Sequence, residues 1–147
     1  MNYNTSDLDV FLQQKEFIDT AVVPLLPIDF SAEKGKQYAS AALYITSLVN
    51  YVEKQFKGRI FVTPSFSYFH NIELKGIYEN LVTAGFKHVL FVTTDQIYAK
   101  KTEDYDILWL PAIPLESMDI EVVMRILQDQ LQFVIPKLTE VWNGVTQ

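Results

Sequence analysis

The sequence predicts an α/β domain: a mostly parallel four-stranded sheet with helices on both faces, in a Rossmann-like three-layer sandwich. Three observations carry this. Four short runs rich in Val, Ile, Leu and Phe recur along the chain, each stopped by Pro or Asp. Between them lie segments whose apolar residues fall three and four apart. Those segments have crossover length, and strands alternating with crossover helices form right-handed βαβ units. The expected strand order is 2-1-3-4, in one domain over residues 1–147. A chain of this length buries roughly 68–70% of its unfolded surface.

The third run is the clearest. Residues 87–95 read Lys-His-Val-Leu-Phe-Val-Thr-Thr-Asp, preceded by the helix-stop Gly85, which describes a strand buried on both faces. Taken in order, Thr5, Ser6 and Asp7 offer N-cap chemistry for a short helix to about Phe17, with Leu8, Phe11 and Leu12 on its apolar side. Residues 18–26 form the first strand, with Val22, Val23, Leu25 and Leu26 as its buried content. Pro24 belongs where a ladder donor would have gone unpaired. Pro27 ends the strand and Asp29 follows it.

A long helix spans about 32–56, with Tyr38, Ala41, Ala42, Ile45, Leu48, Val49, Val52 and Phe56 as its core stripe. Glu53 and Lys57 stand at i,i+4, and Gly58 stops the helix. Residues 59–63 are the second strand, left through the aromatic loop 64–70. Asn71 is placed to cap a helix to about Ala84, with Leu74, Ile77, Tyr78, Leu81 and Val82 facing inward.

After the third strand, Asp95 caps a short turn through Lys101, and residues 105–110 form the fourth strand, stopped by Pro111 and Pro114. Residues 96–104 are short for a parallel crossover, so an antiparallel fourth strand is the alternative. Ser117 is placed to cap the last helix, with Asp119 and Glu121 in its first turn. Its stripe is Ile120, Val123, Met124, Leu127, Leu131, Val134, Ile135, Leu138 and Trp142, and Pro136 should kink or divide it.

Composition excludes several functions. The chain has no cysteine, hence no disulfide, thiolate metal site or cysteine nucleophile. A net charge of −6 argues against a duplex-binding surface, and the basic groups Lys54, Lys57, Arg59 and Lys100, Lys101 read as solvated loops. No secretory signal is expected at the start, and residues 37–52 are too short and polar for a membrane span. Cytoplasmic placement is the expectation. Neither Gly-x-x-x-x-Gly-Lys-Ser/Thr nor Gly-x-Gly-x-x-Gly occurs, so no nucleotide, flavin or other cofactor is expected.

In open α/β sheets ligands gather at the carboxyl ends of strands where the order reverses. Those ends carry the candidate binding cluster Asp29, Ser65, Tyr68, His70, Asp95 and Tyr98. Asp29 and Asp95 facing one crevice would invite Mg²⁺ or acid/base work. Capping of the turn behind each is the commoner fate of such residues, and no metal site is expected. His70 near Ser65 or Ser67 lacks the Gly-x-Ser-x-Gly elbow that exposes a serine nucleophile. His88, at a strand start, reads as structural. Tyr98, Trp109 and Trp142 have the character of interface anchors, and Phe66, Tyr68 and Phe69 exceed what a turn needs.

Ile18-Asp19-Thr20-Ala21 with Pro24-Leu25-Leu26-Pro27, then Lys57-Gly58-Arg59, Gly85-Phe86-Lys87-His88 and Trp109-Leu110-Pro111-Ala112-Ile113-Pro114-Leu115-Glu116 resemble the YpiF-like family across nearly the whole chain. Those are small uncharacterised proteins of Bacillus and relatives. The resemblance implies a bacterial cytoplasmic protein and carries no activity or catalytic residue. The leading expectation is a non-enzymatic binding or regulatory protein. Its partner is a second copy in a homodimer or another protein, with no nucleic acid and no membrane. The alternative is a small hydrolase using Asp29, Asp95 and His70 at the strand ends. A flavodoxin-like electron carrier ranks third.

Overall fold

The computed structural model describes residues 1–100 and 104–144. Its elements run α1 (Thr5–Gln13), β1 (Thr20–Pro27), α2 (Gly35–Gln55), β2 (Ile60–Val62), β3 (Phe66–Tyr68), α3 (Leu74–Ala84), β4 (His88–Thr93), a 3₁₀ turn (Gln96–Tyr98), β5 (Asp106–Trp109) and α4 (Ile120–Trp142). The sheet order is β2-β1-β4-β5, with β3 also paired to β1, and every pairing is parallel. The expected 2-1-3-4 order is this order, and the fourth strand is parallel.

β3 was not expected. It pairs Phe66–Tyr68 with Leu25–Pro27, while β2 pairs Ile60–Val62 with Thr20–Val22. The two short strands therefore share one side of β1, with residues 63–65 interrupting them. That break explains Pro24. Val22 O accepts from Thr63 N on this side, and alternation turns the Pro24 nitrogen the same way. It faces the interruption, where no ladder donor is needed. Met1 covers the outer edge of β2, since its carbonyl accepts from Val62 N at 2.7 Å.

Alternation along β1 divides the core in two. Val22 and Leu26 pack with Tyr44, Ile45, Leu48, Val49 and Val52 of α2 and with Leu127, Val134 and Leu138 of α4. Ala21, Val23 and Leu25 pack on the opposite face with Phe11, Phe61, Leu74, Phe86 and Phe91. The result is the expected three-layer sandwich.

Several local expectations are corrected. Asn4, rather than residues 5–7, caps α1 by accepting from Asp7 N at 2.7 Å, and the helix ends at Gln13. Glu73 and Asp119 hold the N-cap positions of α3 and α4, in place of Asn71 and Ser117. Gly85 does end α3, at φ 121°, a conformation that favours glycine. Tyr78 and Val82 of α3 are exposed, with Tyr78 resting on Tyr105 at the sheet margin.

In α4 the buried positions are Leu127, Gln130, Val134, Leu138 and Val141, whereas Ile120, Met124 and Ile135 are exposed. The apolar arc is wider than the surface it covers, and the sheet takes the flank that includes Gln130. Gln130 is held there by Tyr44, whose buried hydroxyl donates to Gln130 Oε1. Pro136 does not divide α4. The carbonyl that loses its bond belongs to exposed Gln132, within reach of water. Lys101, where the sequence ends the turn after β4, lies outside the described residues.

Candidate functional site

The strand order reverses between β1 and β4, and the chain leaves both strands at the same edge. The polar exit of β4 is tied down bond by bond. Thr93 Oγ1 donates to Leu25 O at 3.1 Å and accepts from Asp95 N at 3.1 Å. This fixes Asp95 relative to β1. One Asp95 oxygen, Oδ1, accepts from Ile97 N at 3.2 Å and caps the 3₁₀ turn. The other, Oδ2, accepts from the Tyr68 hydroxyl at 2.7 Å.

Tyr68 is buried, and burial followed by the Asp95 carboxylate pushes its phenol far above the ordinary value. Tyr98 is half-buried and shifted up by the same two causes, burial first. Both phenols keep their protons across the physiological range, and Tyr68 donates its own to Asp95. Tyr68, Asp95 and Tyr98 thus form one unit. β3 is what brings Tyr68 into it.

Asp29 belongs elsewhere. Its Oδ1 accepts from Ser31 N at 2.8 Å, and Ser31 Oγ accepts from Lys34 N at 3.1 Å, so the pair organises the turn before α2. Hydrogen bonds from the Ser31 side chain and backbone hold the Asp29 carboxyl below the usual carboxylate range, with smaller help from Lys34 and His70. His70 is exposed on the loop after β3 and reaches Asp29 only through its charge. Ser65 is exposed on the turn before β3. The six candidate residues therefore fall into a tyrosine–carboxylate unit, a capping aspartate with a remote histidine, and a separate serine. Beside Asp29, Phe30 is 86% exposed and Phe69 is 62% exposed, with ring centroids 6.3 Å apart.

Asp95 also opens onto a crevice of about 440 Å³ between the carboxyl edge of the sheet and the first turns of α2. Its walls are Pro27 after β1, Thr94 to Gln96 after β4, Trp109 to Ala112 and Pro114 at β5, and Gln37, Tyr38, Ser40 and Ala41 of α2. Leu110 and Ile113 are the members of that last stretch that pack with the core instead. The Trp109 indole N–H donates to Thr94 O at 3.1 Å, which anchors the ring beside the β4 exit. The volume is within the range of small-molecule sites. Sequence reasoning missed Gln37 and Ser40 and placed Tyr38 in the core stripe. The available signal was the polar character of its neighbours, which marks helix turns that project beyond the sheet.

The amino edge of the sheet is closed. Arg59 Nε donates to Asp19 Oδ1 at 3.0 Å, and Thr20 Oγ1 donates to the same oxygen at 2.8 Å. The Trp142 indole N–H donates to Thr20 Oγ1 at 2.7 Å, and the Arg59 guanidinium lies over the Trp142 ring at 3.9 Å. His88 joins this edge through its backbone N–H, which donates to Asp19 O.

Among the described residues no group of three His, Asp or Glu side chains is placed to hold a metal ion. No helix there is long and apolar enough to cross a membrane. The family model described as "Protein of unknown function (DUF2487)" matches residues 9–142. The chain is similar to "Uncharacterized protein YpiF" of Bacillus subtilis (strain 168), at 28% identity over 154 residues covering 97% of this chain and 99% of the relative. No solved structure matches it.

Proposed function

We propose that this chain, which belongs to the DUF2487 family of unknown function, is a non-enzymatic, Rossmann-like binding or regulatory protein of the bacterial cytoplasm. One observation carries the proposal: the two carboxylates at the carboxyl edge are engaged in internal structure beside an open crevice. Asp95 accepts from Tyr68 and caps its own turn, and Asp29 caps the turn before α2. A hydrolytic general base needs a nucleophile within its reach. His70 and Ser65 stand apart from the crevice lining. A macromolecular partner, either a second copy or another protein, is supported by exposed Ile120, Met124 and Ile135 on one side of α4. The net charge of −6 disfavours nucleic acid and anionic membrane surfaces.

The test pairs two assays on the full chain. A metabolite library is screened by thermal shift, and a panel of chromogenic ester, phosphoester and peptide substrates is screened for turnover. The expected result is stabilisation by at least one compound, lost in Trp109→Ala, with no turnover. Turnover abolished by Asp95→Ala or His70→Ala would overturn the proposal in favour of a hydrolase. Sedimentation is expected to show a dimer, and a strict monomer would remove self-association from the proposal.

A further inference from the structure

We propose that the carboxyl-edge crevice takes a small organic cation, a primary ammonium on an apolar or aromatic skeleton, with Asp95 as its counter-ion. This rests on the binding role above and names its ligand class. The charge of the lining comes first. Among the described residues Asp95 is the single carboxylate that lines the crevice, and no Lys, Arg or His lines it. The adjoining depression shares Tyr38 and adds one charge of each sign, Asp29 and Lys36. The whole chain is acidic, with 18 Asp and Glu against 12 Lys and Arg. That field concentrates cations at the surface and repels anions.

Bonding capacity comes second. An ionised carboxylate offers roughly four lone-pair sites. Asp95 uses one for Tyr68 Oη and one for Ile97 N, both neutral donors. Two sites remain for an ammonium, which brings three donors and the compensating charge. Aromatic walls come third. Trp109 and Tyr38 both line the crevice, and tryptophan is the best of the rings for holding a cation. Pro27, Pro111, Ala112 and Pro114 supply apolar surface for a carbon skeleton.

The opposing consideration is the amino end of α2, whose first turn also borders the crevice through Gln37 and Tyr38. A helix amino terminus carries about half a positive charge, against a full negative charge on Asp95. The carboxylate dominates. An anion would also meet no side-chain cation among the described residues of the lining.

The test is a charge series on one skeleton: phenethylammonium, 2-phenylethanol and phenylacetate titrated into the full chain. The two tryptophans give two indole N–H signals in a ¹H–¹⁵N spectrum. Trp109 reports the crevice and Trp142 the closed amino edge. Phenethylammonium is expected to move the Trp109 signal and leave that of Trp142. It should bind at least about tenfold more tightly than the alcohol, the scale of a charge-assisted contact, and phenylacetate should not bind. In Asp95→Asn, which removes the charge and keeps one of the two oxygen acceptors, for Tyr68 or for Ile97, the amine and the alcohol should come within about twofold of each other. The wild-type series is decisive even if that variant folds poorly. The alcohol or phenylacetate binding as well as the amine at Trp109 would overturn the cation assignment and leave the binding role standing. No movement of Trp109 by any of the three would also overturn it, and the library screen then decides the binding role separately.

Discussion

One buried polar contact and one part-buried ion pair can each be tested by substitution. Tyr44 is fully buried in the middle of α2, and its hydroxyl is satisfied by Gln130 of α4 across 86 residues of chain. Removing one partner leaves the other unpaired in the core, which costs about 1–3 kcal/mol. Gln130→Ala is therefore expected to lower the unfolding free energy obtained from urea titration by that amount. Tyr44→Phe with Gln130→Leu, which removes both polar groups, should recover most of it. At the amino edge, burial alone would raise the Asp19 carboxyl, but hydrogen bonds from Arg59 and Thr20 outweigh it and hold the group below its ordinary value. A carboxyl lowered on folding stabilises the protein above its unfolded value of about 3.9, and that stability is lost as pH falls through the folded value. Asp19→Asn should be clearly less stable than wild type near neutral pH, with the gap closing below about pH 4. A gap that persisted unchanged in urea titrations at about pH 3 would contradict the pairing.

The elements were largely legible because their patterns differ: short, near-continuous apolar runs in β1 and β4, buried on both faces, and three-and-four spacing in the helices. β3 was hidden for two physical reasons. It has only three residues and pairs only with β1, and its aromatic content resembles an exit loop. The parallel β5 removes the antiparallel alternative that the short link had left open. An extended chain spans about 3.3 Å per residue, so about a dozen residues cover nearly 40 Å and can retrace a strand of about 20 Å without a full helix. In α4 the pattern offered a wide apolar arc without showing which flank the sheet would cover, and a buried glutamine cannot be foreseen without its tyrosine. Truncation across that helix tests the observed facing. Leu127→Ala in α4 and Leu90→Ala in β4 each remove a side chain at most 4% exposed and should cost ~2–5 kcal/mol through cavity formation. Met124→Ala, at a position 46% exposed, should stay within about 0.5 kcal/mol. A large loss at Met124 with a small one at Leu127 would mean that α4 presents its other flank.

At the scale of the whole molecule, the two ends of the sheet differ in kind. The amino edge is locked by Asp19, Arg59, Thr20 and Trp142, and by the Met1 ammonium paired with buried Glu53 at 2.8 Å. The carboxyl edge keeps an open crevice at the point where strand order reverses. The sequence pointed to that edge, and to Asp95 with its tyrosines, through strand polarity alone. It could not separate Asp29 from Asp95, because which turn each carboxylate caps depends on how α2 and the 3₁₀ turn begin. Nor could it reveal the α2 wall, which exists only once the helix overhangs the sheet. If the carboxyl edge binds without catalysing, Trp109 and Trp142 must respond differently to a ligand. The direct measurement is a ¹H–¹⁵N spectrum of the full chain with and without a protein-free cell extract whose composition is assayed before and after. The Trp109 indole signal should move, the Trp142 signal should stay, and the extract should come back chemically unchanged. A Trp109 signal that never moves, or an extract component consumed by the protein, would contradict a binding role at this crevice.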